Sequence, residues 1–293
     1  MLFPTIIYGP IRSRRLGVSL GVNLMPTDAK LCTFDCVYCE CGWNQPVSHP
    51  ILPTRQQVRE ALMAQLSTLT TQPDVITFSG NGEPTLHPDF LGIIQDTCAL
   101  RDMYCPTAKI SVLSNSTQLF REDVVEALRL CDNRILKLDS AITSTMRLID
   151  KPVNASLTVE QILERLSLFD GDFTLQTCFL TGEYEGQMID NTTPEELAAW
   201  YQAVDYLHPK QVTIYVIDRA TPLKTLYFLH RVLFVLSVQT GAVQFPSGLF
   251  DNLLLCLGLA NLVQLIVDLQ QFFLGEVDIC HAHQRSQAQH GEA

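Results

Sequence analysis

Four cysteines crowd into ten residues within the stretch Lys30-Leu-Cys32-Thr-Phe-Asp-Cys36-Val-Tyr-Cys39-Glu-Cys41-Gly-Trp43. The spacing is C-x3-C-x2-C with an extra cysteine two residues on. A regular strand cannot turn such a set toward one point, whereas a loop can wrap it around a metal. Three thiolates converging on a cubane iron–sulfur cluster would ligate three irons and leave the fourth open, and an open position binds a ligand. Full cysteine ligation would suit electron transfer instead. Zinc held by Cys32, Cys36, Cys39 and Cys41 is a second possibility, although its C-x-C end is cramped. Unligated packing cysteines are a third. A second group with chemical capacity follows: Ser79-Gly80-Asn81-Gly82-Glu83-Pro84-Thr85. Its glycines let backbone approach a ligand, and its carboxylate can bind an ammonium.

These groups need a frame to position them. Short runs rich in β-branched residues lie at 18–24, 75–78, 110–113, 135–138, 173–180 and 212–217. Segments with helical spacing separate them: one from Thr54 with Val58, Ala61, Leu62, Leu66 and Leu69 on one face, then 90–100, 122–130, 159–169 and 194–206. Thr158 with Gln161, and Thr193 with Glu196, fit the capping box of a helix start. Strand–helix alternation predicts parallel strands joined by right-handed crossovers. Six such units suit an open doubly wound sheet or a partial barrel, and no G-x-G-x-x-G follows the first strand. In either arrangement the chemistry belongs at the C-terminal ends of the strands. The cysteine loop follows the first predicted strand and the Gly80–Glu83 turn the second. Ser114 and Asn115 end the third, Asp139 and Ser140 the fourth, and Gln176 and Asp218-Arg219 come at the ends of later ones. Lys137 alternates with Asp139, so both face one side.

The two motifs at consecutive strand ends resemble those of the radical S-adenosylmethionine (radical SAM) superfamily, with Asn81 standing where the stricter Gly-Gly-Glu form has its first glycine. Residues 8–24, 136–140, 175–180 and 214–222 are similar to the group related to wyosine-type transfer-RNA modification proteins, and the likeness covers about residues 6–222. The resemblance implies a partial (β/α)6 radical SAM barrel and two cofactors, a [4Fe–4S] cluster on Cys32, Cys36 and Cys39 and S-adenosylmethionine chelated to its open iron. It implies that Glu83, with the backbone around Gly82, holds the methionine ammonium and that Tyr38 lies near the adenine. Ser114, Asn115, Asp139 and Ser140 would then serve the ribose or the methionine carboxylate. The implied reaction is reductive cleavage to a 5′-deoxyadenosyl radical that abstracts a substrate hydrogen, with electrons from a donor such as a flavodoxin or ferredoxin. A non-catalytic iron–sulfur or zinc-binding scaffold is the alternative.

The remaining features bear on class and partners. The 293 residues carry 20 Lys plus Arg against 31 Asp plus Glu, a formal charge of −11, and are 47% hydrophobic. That composition excludes a disordered or fibrous chain and a global basic field for nucleic acid. Arg12, Arg14 and Arg15 form the one concentrated basic group, suited to phosphate, whether of RNA or of a smaller substrate. The first ten residues have no secretory-signal pattern, so a cytoplasmic protein is expected. Cys41, Cys98, Cys105, Cys131, Cys178 and Cys256 are expected to be small buried packing residues. Composition breaks near Pro222, which predicts a core domain of 1–222 and an atypical apolar segment of 223–293, the product of an extension or of a reading-frame change. Its run 253–267 is interrupted by Asn261 and Gln264 and falls short of the about 20 residues of a span. It reads as a buried or membrane-surface helix. Cys280, His281 and His283 have no convergent partner nearby in sequence.

Overall fold

The structure is a computed structural model, and it describes residues 2–13, 16–45, 49–214, 221–223, 225–228, 235–239 and 242–244. The strands are β1 Ile7–Ser13, β2 Gly17–Val22, β3 Val75–Phe78, β4 Lys109–Ser114, β5 Asn133–Lys137, β6 Thr174–Thr177, β7 Leu180–Tyr184, β8 Gln187–Asp190, β9 Gln211–Ile214, β10 Tyr227–Phe228, β11 Val235–Gln239 and β12 Ala242–Gln244. The helices are α1 Arg55–Thr68, α2 Phe90–Tyr104, α3 Glu122–Arg129, α4 Thr143–Asp150, α5 Val159–Ser167 and α6 Pro194–Leu207. Strands β2, β3, β4, β5, β6 and β9 pair in that order, every pair parallel. This is the six-unit arrangement expected of a partial (β/α)6 barrel. The antiparallel β1 flanks β2, while β11 and β12 extend the sheet beyond β9. Buried on both faces, the parallel strands are nearly continuous apolar runs, such as Val75-Ile-Thr-Phe78.

Local chemistry explains the helix starts. Thr54 and Thr158 each accept the N3 amide while Gln57 and Gln161 return a bond to the cap, closing two capping boxes. Thr193 accepts the Glu196 amide ahead of Pro194. The expected α1 stripe buries Val58, Leu62 and Leu66, the i, i+4 rows that pack one helix face.

Three places depart from the sequence expectation. The strand expected over 173–180 ends at Thr177, because Cys178 N–H turns to Asp139 Oδ1 at 2.8 Å and Leu180 N–H to Asn191 Oδ1 at 2.8 Å. The chain then leaves the sheet as a β7–β8 hairpin, with Glu185 and Gly186 both at positive φ in its turn. Helix α4 was absent from the periodic pattern altogether. The first strand stops at Val22, where the side chain of Asn23 accepts its own Met25 amide at 3.2 Å and opens the loop that follows.

Candidate active site

The C-terminal ends of β2 to β6 gather the candidate residues on one side of the sheet. The cysteine loop is a self-bonded unit. The buried Lys30 donates to Asp35 Oδ1 at 3.0 Å and to Gly42 O at 2.9 Å, tying its two halves together. Asn44 N–H donates to the same Asp35 oxygen, and its amide side chain donates to Cys32 O and Phe34 O. The unit docks on the end of α4: Asp35 N–H reaches Asp150 O, Val37 N–H reaches Ile149 O, and Phe34 bridges Pro152. Its apolar residues Phe34 and Val37 are buried.

The second motif holds the loop from the other side. Leu31 pairs with Gly82 in a parallel bridge, donating to Asn81 O at 2.9 Å and accepting from Glu83 N–H at 3.1 Å. Gly82 has φ +149, and a Cβ there would stand 1.8 Å from Leu31 O. The glycine therefore admits the backbone of the cysteine loop. Asn81 is equally structural. Its side chain donates to Phe3 O and Pro26 O, both at 2.8 Å, and accepts from Phe3 N–H at 2.7 Å.

Glu83 is fully buried and heavily bonded. Its Oε1 accepts from Thr85 N–H, Thr85 Oγ1 and Ser114 Oγ, and its Oε2 from Asn115 N–H at 2.7 Å. Burial pushes its pKa up, against the opposing pull of those donors. Asn115 also reaches the loop, donating to Thr33 Oγ1 at 2.9 Å and lying 3.5 Å from Cys32 Sγ. Thr33 in turn bonds Thr117 at 2.6 Å. The ends of β3 and β4 and the first cysteine thus form one network.

The end of β5 forms the other. Lys137 Nζ lies 2.9 Å from Cys36 Sγ, 3.0 Å from Asp139 Oδ2 and 2.5 Å from Asp150 Oδ1. Tyr38 donates to Asp139 Oδ2, and the Lys137 ammonium sits 4.8 Å from the Tyr38 ring centroid. Despite a desolvation that lowers it, the Lys137 pKa lies well above its ordinary value because of Asp139, Asp150 and Cys36. Burial pushes Asp150 up to about 7. Among the thiols, burial and then the Glu83 charge push Cys32 up to about 12. Cys39 falls to about 5, chiefly because the Cys41 thiol bonds to it, with Lys30 assisting. Cys41 is only partly buried and donates to Gly80 O at 3.2 Å, so it is not the purely apolar packing residue expected. Cys105, Cys131 and Cys178 are buried as expected and Cys98 partly so.

Other expectations fall elsewhere. Ser140 bonds Glu196 at 2.7 Å and accepts from Ile142 N–H, closing the turn into α4. Gln176, one residue before the end of β6, lies beside Lys137 in the β5–β6 register. Arg12 lies on the exposed edge strand β1. Arg14, Arg15, Asp218, Arg219, Cys256, Cys280, His281, His283 and the run 253–267 lie outside the described residues. Among the described residues no helix is long and apolar enough to cross a membrane. Nor do three His, Cys, Asp or Glu side chains close on a single metal ion. Sequence reasoning missed Lys30, Thr33, Asp150 and Asn191. Only Lys30, a lone lysine in an apolar context beside the cysteines, left a signal.

Comparison with known proteins follows the same lines. A profile described as the radical SAM superfamily matches residues 29–171. A UPF0026 protein of Synechocystis is 33% identical over 231 residues, covering 76% of this chain and 78% of the relative. The chain belongs to the radical SAM superfamily. A UPF0026 protein of Helicobacter pylori is 32% identical over 183 residues, covering 61% of this chain, which spans only 58% of that relative's length. Among solved structures, anSMEcpe with bound AdoMet is 16% identical, with a TM-score of 0.48, over 70% of this chain and 52% of that one. TYW1 with a lysine-pyruvate adduct is 16% identical, with a TM-score of 0.46, over 70% and 67%.

Proposed function

We propose that this chain is a radical SAM enzyme in which Cys32, Cys36 and Cys39 hold a [4Fe–4S] cluster. The observation that carries the reading is the setting of the thiols: one loop, tied together by the buried Lys30, carries all three, and the Lys137 ammonium lies 2.9 Å from Cys36 Sγ. The donor set fits the group, since three thiolates on an iron–sulfur cluster are anionic and buried anions need cationic or hydrogen-bonding partners. When bound, such a cluster supplies the electron that cleaves S-adenosylmethionine to a 5′-deoxyadenosyl radical, which takes a hydrogen from the substrate.

The protein's own part is orientation and exclusion of water. Glu83 Oε2 accepts one hydrogen bond, from Asn115 N–H, and a carboxylate oxygen has capacity for another donor. That is the place for the methionine ammonium. Ser114 and the Asn115 amide hold the carboxylate in that pose, and the backbone at Gly82 keeps it beside the cysteine loop. Asp139 holds Tyr38 through its hydroxyl and so fixes the ring next to Cys39 in the loop. In this reading Asp139 reaches the nucleoside through Tyr38. A low-potential donor such as a flavodoxin or ferredoxin would supply the electron.

The test is anaerobic reconstitution of the full chain with iron and sulfide, followed by dithionite and S-adenosylmethionine. The expected product is 5′-deoxyadenosine. Its absence from protein that carries a full [4Fe–4S] complement would overturn the reading.

A further inference from the structure

Lys137 of β5 lies directly against one of the proposed cluster cysteines. Its ammonium has three protons, and the structure offers three acceptors within 3.0 Å: Cys36 Sγ, Asp139 Oδ2 and Asp150 Oδ1. It hydrogen-bonds Cys36 Sγ and forms ion pairs with Asp139 and Asp150, two carboxylates that favour its charged form. A charged lysine has no free lone pair for nucleophilic attack. What it does have is a full positive charge in a buried setting, beside the sulfur of a cluster cysteine. Its side chain is 11% exposed and those of Asp139 and Asp150 are 1% and 2% exposed. The rings of Tyr38 and Phe34, both from the cysteine loop, flank it at 4.8 and 5.2 Å.

The reduction potential of an iron–sulfur cluster depends on hydrogen bonds to its sulfurs, on nearby charge and on solvent exposure. Reduction adds a negative charge, so a neighbouring cation stabilises the reduced form, and low local dielectric strengthens the effect. We propose that Lys137 is a positioning residue that raises the cluster's reduction potential through its hydrogen bond to Cys36, with Asp150 opposing it and so setting the final value. This rests on the cluster assignment made above. It gives the buried Lys137–Asp139–Asp150 group a role in electron acceptance beyond anchoring the loop to α4.

The test is a redox titration of the reconstituted full chain, followed by electron paramagnetic resonance, with iron content measured on each sample. The variants are Lys137→Met, Asp150→Asn and the two combined. Lys137→Met is expected to lower the midpoint potential and Asp150→Asn to raise it. The double variant keeps the pocket's formal charge, which guards against the misfolding that two unpaired carboxylates in Lys137→Met invite. Its midpoint should lie below that of Asp150→Asn. A purely structural lysine would reduce iron content or thermal stability while the surviving clusters kept the parent potential. Equal midpoints for Asp150→Asn and the double variant, or no rise in Asp150→Asn, would overturn the inference and leave the cluster assignment intact. A parent chain that assembles no cluster would overturn both.

Discussion

At the scale of single residues, the two motifs turn out to be parts of one joint. Leu31 of the cysteine loop and Gly82 of the carboxylate motif share a backbone bridge, and nothing larger than hydrogen fits at the latter position. Gly82→Ala is therefore expected to destabilise the fold by at least about 1–3 kcal/mol, the usual cost of a forced backbone conformation. It should also cost iron binding, read by thermal unfolding and iron content; a variant matching the parent in both would show that the joint yields freely. The thiols make a paired prediction. Cys36→Ala should abolish cluster assembly, because two remaining thiolates cannot hold three irons. Cys41→Ala should retain the full iron complement, since Cys41 donates to Gly80 O and does not belong to the proposed ligand set. Iron and sulfide analysis checks both, and the opposite pattern would exchange the roles of the two cysteines. The cysteine spacing and the Gly82–Glu83 pair were legible because their residue types are unusual at close range. The joint between them was not, because Leu31 and Gly82 lie 51 positions apart and a leucine carries no chemical signal.

The elements show where periodicity works and where it fails. Helix α1 was visible because its stripe repeats over a long segment behind a capping box. Helix α4 has eight residues and an N-cap, Ile142, with no side-chain capping bond, so neither signal announced it. Yet its C-terminal end receives the cysteine loop and supplies Asp150, which no spacing rule connects to Cys36. Between elements, the α1–α2 pair offers a clean electrostatic test. Arg55 of α1 makes a two-pronged contact with Asp96 of α2, both bonds at 2.8 Å, and Arg59 lies 3.4 Å away. The Arg55 hydrogen bond depresses the Asp96 pKa below its ordinary 3.8. A depressed carboxylate stabilises the fold fully above the unfolded-state value and loses that contribution as pH falls through the folded-state one. Asp96→Asn should thus lower the melting temperature at neutral pH, with the gap to the parent closing below pH 3.8. A gap that stays constant with pH would assign the effect to packing. Because Arg55 is well exposed, the neutral-pH loss should be small.

For the molecule as a whole, the residues proposed to hold the cluster and S-adenosylmethionine lie at the C-terminal ends of β2, β3, β4 and β5 or in the loops that follow them, so truncation after Leu223 is expected to leave iron binding in place. Stability should fall, because β9 would lose its partner β11 and β7 its partner β10. Expressing both lengths and comparing iron content with melting temperature checks this; a folded truncated chain unable to hold iron would place part of the site beyond Leu223. The six parallel units were written in the sequence, since a strand buried on both faces must be an apolar run and a surface helix must carry a stripe. The cysteine cluster, too, stood out in the sequence as a candidate metal site, because four cysteines in ten residues have few uses. The tertiary structure alone decided the partners of those groups. Burial removes water from Glu83, Lys30, Asp139 and Asp150, and each must then find its polar partners wherever the fold brings a donor, an acceptor or an opposite charge. Such partners are chosen by distance in space, which the order of residues along the chain does not record.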